Sequence, residues 1–419
     1  MTKFFATFMP SVQRAAFTRG LANTTMAWAV TFLSLLVHRL AGPSFIPSKK
    51  SMKRHLSILT AALAFSALSA CGSGDDSPGI APLPAKLVIG HRGASALRPE
   101  HTLEAYAKAI EDGANVIEPD LVSTRDGVLV ARHENEISGT TNVATKLEFA
   151  ARKTTKLIDN VSTTGWFTED FTLTELQTLR ARERIPLNRP ANATYNDQFV
   201  VPTFQAIMDL AKTKSRETGR TIAIYPETKH PSYFKSINLP LEKRLVDALD
   251  ANGYRGKTAP VFIQSFEVAN LKEMRKLTDV RIVQLLSSSG KPEDFRLSGD
   301  ARSYADVSSA AGLREVASYA NGIGPEKGMV IPRNAQNNLG TPTTLVADAH
   351  AAGLVVHPYT FRPENPFLPA DLRRGNTVSP AERGDLAAEI TVFLRAGIDG
   401  FFTDDPAVGR AALDAFVKP

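Results

Sequence analysis

The sequence predicts an α/β fold: a distorted (β/α)8 barrel carrying one long insertion. Three observations predict it. From Lys86 onward, short and nearly continuous apolar runs alternate with segments of helical periodicity, the pattern of a parallel sheet covered on both faces. Five glycines (Gly113, Gly219, Gly253, Gly353 and Gly397) each follow a helical pattern and precede an apolar run, which is the C-cap position of an αβ loop. Titratable side chains collect at the ends of the apolar runs, where a barrel of this kind gathers its active site.

The strands predicted in order are Leu87–Gly90, Val116–Leu121, Val128–His133, Thr221–Glu227, Val261–Phe266, Arg281–Leu286, Leu354–Thr360 and Gly400–Thr403. About eight such runs in one domain favour a closed barrel over an open sheet. Apolar positions at helical spacing predict helices over Leu103–Ile110, Thr203–Ala211 and Leu241–Leu249. One connection breaks the pattern. Only Ser123–Gly127 separates the second strand from the third, whereas a parallel crossover needs a dozen or more residues. This link is therefore expected to be extended and helix-free, turning at Asp126-Gly127, and to distort the barrel. Residues 134–200 are polar, turn-rich and weakly periodic, and read as an insertion after the third strand on the active-site face.

The chain has 419 residues, 49 Lys+Arg, 43 Asp+Glu and one cysteine. A single cysteine excludes an intrachain disulfide and a Cys-rich zinc site. The formal charge of +6 suggests an anionic partner until it is located. The first 74 residues hold eight of the basic residues and no acidic one, which leaves 41 against 43, a net −2, for the remainder. The basic excess thus belongs to a leader. Lys53-Arg54, the apolar run Leu56–Leu68 and the small residues Ser69-Ala70 before Cys71 form an export signal, too short to span a bilayer. Leu68-Ser69-Ala70-Cys71 resembles a bacterial lipobox, which makes Cys71 the lipidation site; the plainer alternative is a signal peptide with a chance cysteine. Residues 52–70 are then the signal peptide and residues 71–85 a Gly/Ser-rich flexible tether. Residues 86–419 are then the exported domain. Residues 1–51 read as an over-extended start, the alternative being a basic amphipathic leader with its own role. Gly72 is not the Asp commonly used for inner-membrane retention, so the expected destination is the periplasm or outer membrane.

The chemistry sits at strand ends. His91 and Arg92 end the first strand, Glu118 and Asp120 the second, His133 the third, Glu227 and Lys229 the fourth. Glu118 and Asp120 are two apart, so both point to one side of a strand. Carboxylates aimed into one pocket repel unless a cation lies between them. With Glu227 they form three hard oxygen ligands, suited to Ca²⁺ or Mg²⁺. The competing reading is a structural network of these acids with Arg92 and Lys229. His91 and His133 suit proton transfer near neutral pH. Arg92 offers a planar fork and Lys229 a point charge for a phosphate.

These residues lie in longer motifs. His91-Arg92-Gly93-Ala94, Arg98-Pro99-Glu100-His101-Thr102, Ile117-Glu118-Pro119-Asp120-Leu121 and Thr124-Arg125-Asp126-Gly127 resemble the signature of glycerophosphodiester phosphodiesterases. His133, Gln264-Ser265-Phe266, Val356-His357-Pro358-Tyr359-Thr360 and Gly400-Phe401-Phe402-Thr403-Asp404 extend the resemblance from Leu87 to Pro406. It is closest to the periplasmic, calcium-using branch. The resemblance implies a distorted TIM barrel whose insertion caps the substrate. It implies metal ligands at Glu118, Asp120 and Glu227, with Ca²⁺ preferred over Mg²⁺, and a catalytic pair at His91 and His133. It implies a phosphate contact at Arg92 with Lys229 close by, and a supporting place for Glu100. Two departures stand out: Glu134 occupies a position where many members have Asp, and Pro119 separates two ligands within a strand.

The expected reaction is hydrolysis of a small glycerophosphodiester to sn-glycerol 3-phosphate and an alcohol. Three alternatives have different signatures. A phospholipase-type phosphodiesterase needs a broad apolar rim, which Trp166, Phe167 and Phe171 could supply. A non-catalytic phosphodiester-binding lipoprotein does not need the histidine pair. Nucleic-acid binding needs a basic, aromatic-lined face, which a domain of charge −2 does not support.

Overall fold

The structure, a computed structural model, describes residues 80–418. The leader, the signal segment, Cys71 and most of the tether lie outside the described residues. Among the described residues, no helix is long and apolar enough to cross a membrane.

In chain order the strands are β1 (Leu87–His91), β2 (Val116–Glu118), β3 (Asp120–Ser123), β4 (Leu129–Ala131), β5 (Thr154–Ile158), β6 (Val161–Gly165), β7 (Ala223–Ile224), β8 (Glu227–Thr228), β9 (Phe262–Ser265), β10 (Arg281–Leu286), β11 (Gly322–Pro325), β12 (Val355–Val356) and β13 (Gly400–Thr403). β2 and β3 are two halves of one barrel strand, divided at Pro119. β7 and β8 are likewise divided, at Tyr225-Pro226. Eight parallel strands result. β1 pairs with β2 on one side and β13 on the other, and β8 to β12 follow in order. The barrel closes where Asp399 N donates to Val356 O and Phe402 N to Pro358 O, both at 3.0 Å.

Two strand predictions are corrected. Val128–His133 is not a barrel strand. Its core, β4, runs antiparallel to β3 in a hairpin outside the barrel. Reversal of direction is what so short a link allows, and the turn falls at Arg125-Asp126 with Gly127 at φ +80°. The eighth barrel strand is instead β11, whose Gly-Ile-Gly-Pro sequence lacks an apolar run. Its glycines permit close packing: a Cβ on Gly322 would lie 2.6 Å from a Val355 methyl. Pro119 still takes part in the ladder, since its carbonyl accepts from Glu227 N at 3.0 Å. It deletes a donor and splits the strand, while the acceptor side of the ladder continues. Ala81 N donates to Gly219 O, and Ala81 O accepts from Thr221 N, so residue 81 is hydrogen-bonded ahead of β7, at the N-terminal end of the barrel.

Period-two alternation then sorts the side chains. Val88, Ile117, Ile224, Ile263, Ile282 and Phe401 face the surrounding helices in the larger apolar core. Leu87, Ile89, Val116, Ala223, Tyr225, Phe262, Val283 and Phe402 form a separate core inside the barrel. Tyr225 stacks on Phe262 with centroids 4.9 Å apart and meets Phe402 edge-on at 5.1 Å. His357 lies against this layer, its Nδ1 3.1 Å from Tyr225 Oη. The interior is thus plugged, and whatever continues the inward alternation toward the strand ends must lie above the plug.

The helices form where their spacing predicts, with side-chain caps at two of the three. Thr102 accepts from Ala105 N to start Leu103–Glu111, and Thr203 from Ala206 N to start Phe204–Thr218. All five glycines read as αβ caps have φ between +66° and +98°. Residues 134–200 contain the antiparallel hairpin β5–β6, short 3₁₀ turns and one helical turn, Leu173–Leu176. Trp166, Phe167 and Phe171 are buried in the insertion, with Phe149 and Phe171 edge to face at 5.0 Å. Trp166 and Phe171 belong to the larger apolar core and Phe167 is fully buried, so the three form no exposed apolar rim.

Candidate active site

Carrying the alternation one step beyond the plug gives the site. On β1, Leu87 and Ile89 are inward, and the next inward residue is His91. On β2 and β3, Val116 is followed by Glu118 and Asp120. After Ala223 and Tyr225 comes Glu227, and after Phe402 comes Asp404. His91, Arg92, Glu118, Asp120, His133 and Glu227 line one cavity of about 280 Å³ at the C-terminal ends of the strands. Its other wall is apolar, made of Phe266, Leu285, Tyr359 and Phe402. The hairpin brings His133 to this mouth although β4 is not part of the barrel, because Arg132 N donates to Asp120 O at 3.0 Å.

Glu118, Asp120 and Glu227 each present an oxygen within 4.8 Å of the others, and all three residues are buried. Burial, reinforced by the Asp120 and Glu227 carboxylates, pushes Glu118 well up. Burial also raises Glu227, with Asp120 adding to the effect. Asp120 is held well down, because Lys229, His133 and His101 outweigh its burial. Asp120 Oδ1 is buried and accepts no hydrogen bond from the protein. A cluster whose members resist ionising together, with one oxygen left bare, fits a hard divalent cation. The surroundings orient these ligands. Gln264 Nε2 donates to Glu118 Oε1 at 3.1 Å, His101 Nε2 lies 2.9 Å from Asp120 Oδ2, and Lys229 Nζ donates to Glu227 Oε1 at 2.8 Å.

Arg92 is placed by its backbone. It has φ +57° and its N–H donates to Glu118 Oε2 at 2.8 Å. The following Gly93 has φ +92°, and a Cβ there would stand 2.6 Å from the Ala105 carbonyl carbon. Glycine is what lets the chain turn this closely over the first helix. The guanidinium is buried and pairs with Glu100 at 3.1 Å, with Asp120 3.4 Å away. Glu100 therefore stands beside Arg92 at the edge of the site. Lys229 lies behind Glu227, its Nζ 3.4 Å from His133 Nε2, and lines the neighbouring cavity together with His230 and Tyr304.

Each histidine is backed by a carboxylate. His91 Nδ1 is 2.5 Å from Asp404 Oδ1, and His133 Nδ1 bonds Glu134 Oε1. An anionic acceptor at Nδ1 fixes the proton there and leaves Nε2 as the free base. Burial, with Arg92 adding to it, lowers His91 to about 4. Burial, Arg92 and Lys229 lower His133 to about 3. Both imidazoles are thus neutral at pH 7. Burial alone would raise Asp404, but Arg189, His91 and Arg362 hold it well below the carboxylate range. Glu134 is held down despite its burial by His133 and Arg184.

Several of these residues escaped sequence reasoning. Asp404 ends an apolar strand as His91 does, and the same signal would have found it. Glu134 stood out only as a departure. His101 belongs to a quoted motif, but nothing in the sequence reveals its contact with Asp120. Arg184 and Arg189 lie in irregular backbone where no periodicity points inward. Arg184 donates to Glu100 Oε1 at 2.6 Å and to Glu134 Oε2 at 2.7 Å, and Arg189 to Glu364 Oε1 at 2.7 Å and Asp404 Oδ2 at 2.5 Å.

Comparison with known proteins points to one family. The model of the Glycerophosphoryl diester phosphodiesterase family matches residues 91–408. A glycerophosphodiester phosphodiesterase of Arabidopsis thaliana is 37% identical over 330 residues, 75% of this chain and 82% of its own length. One of Haemophilus influenzae is 28% identical over 348 residues, 77% of this chain and 88% of its own. A crystal structure from Silicibacter pomeroyi superposes with a TM-score of 0.55 at 21% identity, covering 81% of this chain and 98% of that one, and supports the barrel fold.

Proposed function

The chain belongs to the glycerophosphoryl diester phosphodiesterase family, and from that membership we propose that it hydrolyses small glycerophosphodiesters to sn-glycerol 3-phosphate and an alcohol. The observation that carries this reading is one arrangement: two carboxylate-backed histidines and a three-carboxylate cluster facing a single cavity of about 280 Å³. That volume lies at the small end for ligand pockets, in keeping with a water-soluble diester.

Glu118, Asp120 and Glu227 would hold a divalent cation, Ca²⁺ in preference to Mg²⁺, which when bound neutralises phosphoryl oxygens and orients the glycerol end. The remaining work falls to the chain's own side chains. Arg92, already oriented by Glu100, offers its fork to the phosphate. The incoming phosphodiester anion raises the basicity of whichever histidine it faces, so that one imidazole becomes protonated. The other, free at Nε2, removes the proton of the attacking oxygen. As the phosphorus–oxygen bond to the alcohol breaks, the protonated histidine delivers its proton to the leaving alkoxide. Asp404 and Glu134 keep both rings in the required tautomer throughout.

The test is a coupled assay for glycerol 3-phosphate released from glycerophosphocholine, by wild type, His91→Ala and His133→Ala, with and without EDTA. Activity is expected only in wild type and only with metal. Equal turnover by the histidine variants would refute the acid/base assignment, and activity indifferent to chelator would refute the metal assignment. Titration of the chelated enzyme with Ca²⁺ and Mg²⁺ tests the preference between them.

The proposal extends to location. The signal ending at Cys71 supports an exported bacterial lipoprotein of the periplasmic branch, held by a lipid anchor in the periplasm or at the outer membrane. Incorporation of labelled fatty acid into wild type and not into Cys71→Ser is the expected result. Incorporation that survives the substitution would remove the anchor from the proposal.

A further inference from the structure

The insertion reaches the two histidines through a matched pair of arginines. Arg184 and Arg189 are five residues apart, in backbone with no regular secondary structure. Arg184 lies between two carboxylates, gripping Glu100 by Nε at 2.9 Å and Nη2 at 2.6 Å and touching Glu134 by Nη2 at 2.7 Å. Glu134 backs His133, and Glu100 backs Arg92. Arg189 is buried and bonds Asp404, the carboxylate behind His91, while its Nε grips Glu364 at 2.7 Å and its Nη1 donates to Ser95 O at 2.8 Å. The barrel and its hairpin thus supply each histidine and its carboxylate, and the insertion supplies a cation against each carboxylate, joined at Asp404 by Arg362 3.2 Å away.

This is more than surface pairing. Both guanidiniums are held in the charged form against the cost of burial by the carboxylates they contact. The segment that carries them is pinned on both sides. Ala181 N donates to Phe199 O, Arg182 N to Thr140 O, and Glu183 N to Asn196 Oδ1. Asn192 also donates to Ser95 O at 3.0 Å, fastening the far end of the segment to the loop after β1. A charge-assisted contact in a buried setting fixes orientation as well as energy.

We propose that Arg184 and Arg189 are positioning residues of the reaction, and that the insertion is a structural part of the catalytic centre. Arg189 holds Asp404 so that His91 keeps its Nδ1 proton and its aim. Arg184 ties the His133–Glu134 pair to the Glu100–Arg92 pair, setting the proton-transfer group and the phosphate-binding group in fixed relation. The inference rests on the histidine roles proposed above.

The experiment uses the full-length metal-loaded protein with glycerophosphocholine. Arg189→Gln and Arg184→Gln are each expected to lower kcat by roughly tenfold to a hundredfold, with KM changed less than about threefold. Arg189→Lys should recover part of the loss in kcat. Losing one of the two cations beside Asp404, with Arg362 left in place, strengthens its hold on a proton shared with His91, so the acid limb of the kcat profile should move to higher pH in Arg189→Gln. A double-mutant cycle of Arg184→Gln with Glu134→Gln should be strongly non-additive. Unchanged kcat and an unmoved pH profile in folded variants, with His91→Ala and His133→Ala inactive, would overturn this inference and leave the proposed function standing. Active His91→Ala and His133→Ala would instead overturn the reading on which it rests. If Arg189→Gln does not fold, Arg184→Gln, whose contacts are nearer solvent, carries the decision alone.

Discussion

His91 and Asp404 meet across the seam where the last barrel strand returns to the first, Nδ1 to Oδ1 at 2.5 Å. They are 313 residues apart in the chain. The contact therefore depends on closure of the whole barrel, and it sets which nitrogen of His91 is free. Asp404→Asn keeps the shape but can present an amide N–H to Nδ1, moving the imidazole proton to Nε2. The expected outcome is a fall in kcat of roughly 10²- to 10⁴-fold with near-normal KM. Steady-state kinetics on purified Asp404→Asn decide it, and a kcat within threefold of wild type would count against the assignment.

The acidic cluster predicts opposite effects on stability with and without metal. Without a cation, Glu118 and Glu227 are pushed up by burial and by neighbouring carboxylates. Glu227→Gln removes one of these charges and should hold or raise the melting temperature in EDTA. In wild type, metal at a hundred times its Kd should add about 2.7 kcal/mol of stability. That increment should largely vanish in Glu227→Gln. Thermal melts of both proteins in EDTA and in excess Ca²⁺ measure the four values; an equal metal-induced shift in the two would contradict the ligand role.

His357 gives a pH prediction away from the acidic cluster. Burial beneath the barrel plug lowers it from 6.5 to about 4. The unfolded chain takes up its proton first, so between those values the unfolded state holds more protons and stability rises with pH. The contribution is present in full above pH 6.5 and is lost as the pH falls toward 4. Its maximum size is about 3 kcal/mol. Urea unfolding at intervals between pH 4.5 and 7 should show a shallower pH slope for His357→Gln than for wild type. Parallel slopes would show that another group dominates.

Gly93→Ala tests how the close turn supports Arg92. The added Cβ would meet the Ala105 backbone at 2.6 Å while the residue stayed at φ +92°. A loss of about 2–3 kcal/mol is expected. Because Arg92 adjoins this turn, folded Gly93→Ala should also show a raised KM. Thermal unfolding and kinetics on the same preparation separate the two effects.

Much of this site was legible because two periodicities coincide. Apolar runs reveal strands, and period two then sends His91, Glu118, Asp120 and Glu227 to the same interior. The strand total was reached through compensating misreadings. Val128–His133 has the composition of a strand and is one, but its direction is set by the short Ser123–Gly127 link, which composition does not encode. Gly322–Pro325 is a barrel strand with one large apolar side chain, because β11 contributes tight packing and little bulk. Arg184 and Arg189 were illegible for another reason. Their aim comes from turns and long-range backbone contacts such as Ala181 with Phe199, and irregular segments carry no repeat from which direction can be read.

Ala81 is hydrogen-bonded at the N-terminal end of the barrel, whereas the histidines open at the C-terminal end. Residue 81 is therefore paired at the pole opposite the reactive mouth. A bead or sensor chip coupled near Ala81 is thus attached away from the opening. Immobilising the protein through its N-terminus should preserve turnover of dissolved diesters, while coupling through the insertion should obstruct it.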